Sequence, residues 1–216
     1  MIKIEYLEVW GFRGARRGMR NPMVSLNRMD TVFAENGDVI KLGSNDASLM
    51  LRLKTAGTDH RKYLRMIHIQ CDVTAPLYFW KDYDSYKVST VSNSCSTMHK
   101  IHAYEINQSM FSTEDLDEIG LNVLQTTIDY MNYYRDIYIA SGMKDKTAWR
   151  RMIQMLPTSY NQKRTIDINY ETLLNIFGSR SNHKLQEFRD LCAILKKELP
   201  YIAALFEGVT PCEKEE

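Results

Sequence analysis

Residues 156–180 read "LPTSYNQKRTIDINYETLLNIFGSR". The segment "RTIDIN" reads as a short strand running into a helix that ends at Gly178. Three side chains are out of character on this otherwise apolar helix and its entry strand: Asn169, Asn175 and Arg180. Asn175 lies six positions after Asn169, and Arg180 five positions after Asn175. An Asn amide can read the edge of a heterocycle, and a planar Arg fork can hold an anion. The plainer alternative is a helix cap followed by a solvated Arg.

Working outward, the Leu156-Pro157 pair ends a helix predicted from about Asp145 to Leu156. Before it lies the clearest helical pattern, 112–141, with Ser112 or Thr113 as cap. Ile119, Val123, Ile128, Met131 and Ile137 recur there at roughly helical spacing up to Gly142. On the other side, "NHKLQEFRDLCAILKKEL" predicts an amphipathic helix with Leu185, Phe188, Leu191, Cys192 and Leu195 on one side, stopped by Pro200. Towards the N-terminus, residues 2–10 alternate as a strand, and 13–45 lack periodicity apart from a hairpin turn at "ENGD", 35–38. A helix is expected from a cap at Ser44 or Asn45 to Gly57, and a strand buried on both faces over 62–73. Pro76 then opens an aromatic helix to about Tyr86. The tail, 208–216, is polar and expected to fray. Together these elements predict a single α+β domain over residues 1–216, with a mixed sheet and several long helices. Residues 1–43 would be a strand and an irregular segment.

Two further stretches carry candidate chemistry. "SNSCSTMHK", 92–100, gathers small polar residues ahead of a basic pair. Such a run can present hydroxyl and backbone donors to a phosphate. It can equally be a turn whose Ser and Asn bond their own backbone. Ser96 and His99 are close, yet no Gly-x-Ser-x-Gly elbow surrounds the serine, so a Ser-His-Asp triad is disfavoured. "TDHRKY", 58–63, followed by His68, is a basic turn before a strand unless a ligand recruits it.

Taken in order, these three stretches resemble the flavin-dependent thymidylate synthases, over about residues 44–206. The family runs Leu-Pro, a short strand, Asn, a second Asn six residues on, Arg five residues later and a nearby His. Here those positions are Leu156-Pro157, Asn169, Asn175, Arg180 and His183. The resemblance implies FAD contacts at Asn169, Tyr170, Glu171 and Asn175, with His183 bordering the flavin. It implies that Arg180 faces the uracil of dUMP and helps ionise it. The family signature Arg-His-Arg-x-x-Ser-x-Asn-Glu-x-Ser-x-Arg is matched in part. Asn93 and Ser96 fall on its Asn and second Ser, whereas Ser94 replaces Glu and Met98 replaces the last Arg. Ser85, Tyr86 and Lys87 stand for Arg-His-Arg if one residue is inserted, and Thr58 stands where the family has a flavin-touching Ser. Arg150 and Arg151 lie near the position of a further nucleotide-binding Arg, of which Arg151 is the one assigned to substrate. Each lost charge-assisted contact costs about 1.5–3 kcal/mol.

On this resemblance, Asn93, Ser94, Cys95, Ser96, Thr97 and Met98 form a nucleotide-binding loop that cradles dUMP or a related pyrimidine nucleotide. Arg180 and Ser96 are the residues placed at the chemistry, and Ser96 need not be a nucleophile. Thr58, Ser85, Tyr86 and Lys87 join the FAD set. The implied reaction is reductive C5-methylation of dUMP, with methylenetetrahydrofolate and NADPH as co-substrates, in a homotetramer. The alternatives are a pyrimidine C5-hydroxymethylase or UMP methylase, and a non-catalytic nucleotide-binding homologue.

Bulk properties are compatible with that reading. The formal net charge is +1, from 28 basic and 27 acidic side chains, which argues against a general nucleic-acid binder. No apolar run approaches the roughly 20 residues that span a bilayer. The opening "MIKIEYLEVWGF" lacks a signal peptide's layout, so a cytoplasmic protein is expected. Cys71, Cys95, Cys192 and Cys212 show no CxxC spacing, so neither a metal site nor a disulfide frame is expected, and Cys71 and Cys192 read as buried thiols.

Overall fold

Alternation in "KIEYLEVW" builds the first strand, β1 (Lys3–Trp10). The computed structural model describes residues 2–199 together with Tyr201 and Leu205. The elements then follow as α1 (Phe12–Arg20), β2 (Val32–Phe33), β3 (Val39–Lys41), α2 (Ser44–Thr55), β4 (His68–Pro76), α3 (Leu77–Tyr83) and β5 (Thr90–Ser94). The C-terminal half holds α4 (Thr97–Lys100), α5 (Glu118–Ala140), α6 (Lys146–Met155), β6 (Asn161–Asn169), α7 (Tyr170–Arg180) and α8 (Gln186–Glu198). A four-stranded sheet runs in the order β1–β4–β6–β5, and β2 pairs antiparallel with β3. The α+β class is therefore as the sequence indicated.

The chain forms two compact units. One contains Val73–Ser85 and Asn93–Arg164 with the N-terminal end; the other contains Ile4–Asp72, Tyr86–Ser92 and the chain from Thr165 onward. The first is built on α5 and α6. Leu124, Ile128 and Met131 of α5 join Ile101, Ile106 and Phe111 in one core cluster, and Tyr138, Ala148 and Met152 form another. The second is built on α1, α2, α7, α8 and a 3-10 turn at Arg61–Met66, around Leu49, Leu64, Ile69, Tyr170, Leu173, Phe188 and Leu191. Gly11 sits at φ +97°, and a Cβ there would collide with the Met66 carbonyl, so only glycine lets β1 turn directly into α1.

Several expectations need correction. Residues 12–20 are helical rather than irregular, because Phe12, Ala15 and Met19 form a buried stripe that outweighs the arginines between them. The α2 N-terminus is not capped by Ser44 or Asn45. The Asp30 carboxylate accepts from the N–H groups of Asn45 (2.8 Å) and Asp46 (3.0 Å) instead. The stretch 62–73 is a 3-10 turn followed by β4, whose buried residues Ile69, Cys71, Val73 and Ala75 lie on one face only. α3 stops at Tyr83. α5 starts five residues later than expected, where Asp117 accepts from Gly120 N–H (2.8 Å). Its residues Ile119 and Val123 are 74% and 62% exposed, so the five apolar positions belong to two faces, not one. α7 continues through Gly178 to Arg180. Pro200, Cys212 and the tail 208–216 lie outside the described residues.

Candidate functional site

The polar loop is carried by β5 and α4. β5 is polar because it is an exposed edge strand, and Asn93, Ser94, Cys95 and Ser96 are all exposed. Ser96 is the residue before α4, with no side-chain cap bond of its own; its carbonyl accepts from Lys100 N–H at 2.9 Å. The loop is tied to the strand beside it. Cys95 N–H donates to the Lys163 carbonyl (3.0 Å). The Gln162 amide nitrogen donates to the Cys95 carbonyl (3.2 Å) and to Thr97 Oγ1 (2.9 Å). Trp149 Nε1 donates to the Met98 carbonyl at 2.8 Å, so α6 fixes the far end. Met98 itself is exposed.

Behind Gln162 lies a cation that the sequence did not single out. Arg164 Nε donates to Gln162 Oε1 (2.9 Å), its Nη1 pairs with Asp84 (2.7 Å), and its guanidinium lies 4.4 Å from the centre of the Trp80 ring. Trp80 Nε1 in turn donates to the Gln162 carbonyl (2.9 Å). Gln162 and Arg164 are two apart on β6 and so share a face. That polar i, i+2 pair was the available signal. Ser85 is exposed beside Asp84. Arg151, assigned to substrate by resemblance, holds its guanidinium 4.7 Å from the centre of the Tyr134 ring.

The other unit carries the second group. Arg180 ends α7, where Nε donates to Tyr86 Oη (3.0 Å) and the guanidinium lies 4.9 Å from the centre of the Phe188 ring. Tyr86 Oη and Ser179 Oγ are 2.8 Å apart, and Ser179 Oγ donates to the Asn175 carbonyl (2.9 Å). The serine hydrogen is thereby used, so the phenol hydrogen goes to Ser179. The chain of donors therefore runs from Arg180 through Tyr86 and Ser179 to the α7 backbone. His183 packs edge-on to Phe188 (5.1 Å), and its Nδ1 accepts from Leu185 N–H.

Other residues that the resemblance assigned to the flavin have partners within the fold or are exposed. Asn169 is buried and caps α7 by accepting from Thr172 N–H (2.9 Å). Tyr170 is fully buried, edge-on to Phe12, and burial pushes its phenol pKa up; its side chain belongs to the core. Glu171 is clamped by Arg65 and by Arg61 Nε (3.0 Å). Hydrogen bonding from Arg65 holds its carboxyl below the usual range; burial opposes this, and Arg61 adds to the lowering. Thr58, Lys87 and Asn175 are exposed. His68 pairs with Asp167 (2.9 Å) and stacks on Trp10.

Three of the α1 arginines, Arg13, Arg16 and Arg20, are engaged within the fold. Arg13 and Arg16 lie against the Phe33 ring, and Arg16 Nη1 donates to the Thr31 carbonyl (2.7 Å). Arg20 Nε donates to Asp46 Oδ1 (2.8 Å) in a buried pair that Thr31 completes through its hydroxyl and N–H.

No protein-family model matches the chain, and no curated protein matches it. Solved structures do. The chain is similar to thymidylate synthase X (ThyX) from Helicobacter pylori, crystallised with FAD and dUMP, at 18% identity and TM-score 0.67 over 100% of both chains. A second structure of the H. pylori flavin-dependent thymidylate synthase ThyX with FAD and dUMP matches at 18% identity and TM-score 0.66, over 97% of this chain and 100% of that one. A UMP/dUMP methylase, PolB from Streptomyces cacaoi, bound with 5-Br UMP, matches at 11% identity and TM-score 0.63 over 96% and 92%. The chain thus has the ThyX fold along its whole length.

Proposed function

We propose that the protein is a cytoplasmic, flavin-dependent enzyme that modifies C5 of a pyrimidine nucleotide, with reductive methylation of dUMP as its reaction. The observation that carries this reading is the full-length likeness to ThyX structures holding FAD and dUMP. The Asn169, Asn175 and Arg180 spacing that carries the sequence resemblance supports the same reading. Methylenetetrahydrofolate and NADPH are the co-substrates of this reading. In the stretch 93–98, Ser94 and Ser96 offer exposed hydroxyls and Thr97 a half-buried one to the nucleotide. Arg180, oriented through Tyr86, would stabilise negative charge on the pyrimidine as it ionises. Ser96 takes part as a hydrogen-bond donor, since nothing about it marks an activated nucleophile.

The residues fit FAD in part. Thr58, Lys87 and Asn175 are exposed donors, and His183 offers a ring edge; these would hold the group. Asn169 and Tyr170 support α7 from within instead. A bound flavin supplies the reducing equivalents that side chains lack. A homotetramer is part of the same reading. The exposed apolar face of α5, grooved at Ile119, Val123, Thr126 and Thr127, is the kind of patch subunits cover.

A UMP/dUMP methylase or a related C5-modifying enzyme is the second reading. It is favoured by the likeness to the S. cacaoi enzyme and by Ser94 and Met98 in place of the signature's Glu and Arg. Absorption spectra with added FAD and dUMP, followed by mass spectrometry of nucleotide products, test both. Flavin bands that persist through gel filtration and shift with dUMP, with dTMP as product, support the first reading. A methylated ribonucleotide supports the second. A protein that cannot be loaded with FAD and turns over neither nucleotide overturns both, leaving the non-catalytic homologue.

A further inference from the structure

The signature loop lacks its closing cation: Met98 stands there, exposed. A different cation reaches the loop from behind. Arg164 donates through Nε to Gln162 Oε1, and Gln162 donates through Nε2 to Thr97 Oγ1. This wiring fixes the amide's orientation, because Oε1 must face the guanidinium while the NH2 group faces two acceptors, the Cys95 carbonyl and Thr97 Oγ1. Thr97 Oγ1 already accepts, so its own hydrogen is left to donate, and no acceptor among the described residues takes it. Hydrogen bonds in series polarise one another, and a charged donor at the head strengthens those that follow. Asp84 also pairs with Arg164, but its carboxylate is half-exposed and screened by water. Gln162 is 8% exposed and Arg164 is backed by the Trp80 ring, so the inner links are shielded from that screening.

We infer that Arg164 and Gln162 are positioning residues that turn the Thr97 hydroxyl into a charge-assisted donor for an anionic oxygen, the phosphate of the bound nucleotide. This rests on the nucleotide-binding reading above and adds to it the site and means of phosphate recognition. Thr97 is the residue that touches the ligand; Gln162 and Arg164 act through it. The relay takes over part of the work of the missing signature Arg without placing a cation at the surface.

Calorimetric titration of the full chain with dUMP and with deoxyuridine tests it, across wild type, Thr97→Val, Thr97→Ser and Gln162→Leu. The expected result is a loss of about tenfold or more in dUMP affinity for Thr97→Val and Gln162→Leu. Deoxyuridine affinity stays within about twofold, and Thr97→Ser keeps dUMP binding because it keeps the hydroxyl. Equal losses for both ligands, or no loss in Thr97→Val, overturn the inference. Gln162 is buried, so circular dichroism screens that variant for folding; half-buried Thr97 carries the test alone if it fails. If wild type binds neither ligand, the nucleotide reading falls, and titration with inorganic phosphate decides the relay. Phosphate binding that Thr97→Val abolishes supports an anion site, and phosphate binding that is absent or unchanged overturns it.

Discussion

Two arginine–aspartate pairs of nearly equal length do different work in this molecule. Arg20 and Asp46 are 3% and 1% exposed, and Thr31 closes the carboxylate off with its hydroxyl and N–H. Arg164 and Asp84 are 15% and 51% exposed, with the guanidinium lying on Trp80 and turned towards Gln162. The first pair spends its hydrogen bonds inward, locking α1 to α2 and to the segment at Thr31. The second leaves one end to water and sends a donor towards an exposed loop. Distance alone does not separate an enclosed pair from an open one; what surrounds the carboxylate does.

Breaking the buried pair should have the largest effect. Asp46→Ala leaves a buried, uncompensated guanidinium and should cost about 3–5 kcal/mol in urea denaturation. A loss under about 1 kcal/mol would place this pair with the exposed ones. Next comes Arg180→Ala. On the proposed reading, turnover should fall by about 100-fold or more while circular dichroism shows the fold intact; a wild-type rate would remove Arg180 from the chemistry. A third effect is acid sensitivity. Burial pushes the Asp46 carboxyl up, but hydrogen bonds from Thr31 and Arg20 bring it below its ordinary value overall, and Glu171 is lowered too. Groups with lowered folded pKa values contribute stability that is present above the ordinary carboxylate range. That stability is lost as pH falls through the folded values, so the window lies below about pH 4. Glu171→Gln should flatten the pH dependence of stability in that window, and an unchanged slope there would mean the Arg61–Arg65 clamp adds nothing. The smallest effect is expected for Asp84→Ala, under about 1 kcal/mol in the same denaturation assay.

Much of this was legible in one dimension. The helices at 44–55, 146–155 and 186–198 carry their apolar spacing openly, and Asp145 caps α6 through Thr147 and Ala148 N–H as a helix start should. The helix at 12–20 was hidden because three arginines sit between Phe12, Ala15 and Met19. Two of those arginines, Arg13 and Arg16, lie against Phe33, twenty and seventeen residues away in sequence. The polar stretch 92–100 reads as a loop in sequence but is the end of β5 and the start of α4, with only Cys95 and Ser96 between them. Asn169 is the helix cap that the plainer reading of its segment allowed, and Tyr170, a polar-tipped ring, is buried. A side chain's type says which bonds it can form, not whether water or a neighbouring element already supplies them.

The order of apolar and polar residues was enough to determine the α+β class, most helix positions and the buried thiols of Cys71 and Cys192. These follow from local periodicity and hydrophobicity, which each segment carries within itself. Tertiary structure alone decided which cations are consumed and which are aimed. Glu171 takes Arg61 and Arg65 from about 110 residues away, Asp46 takes Arg20, and Gln162 connects Arg164 to Thr97. Such pairings depend on directions and distances between segments remote in sequence. Hydrogen bonds weaken steeply with poor angle and length, so only the folded geometry selects among the many partners composition permits.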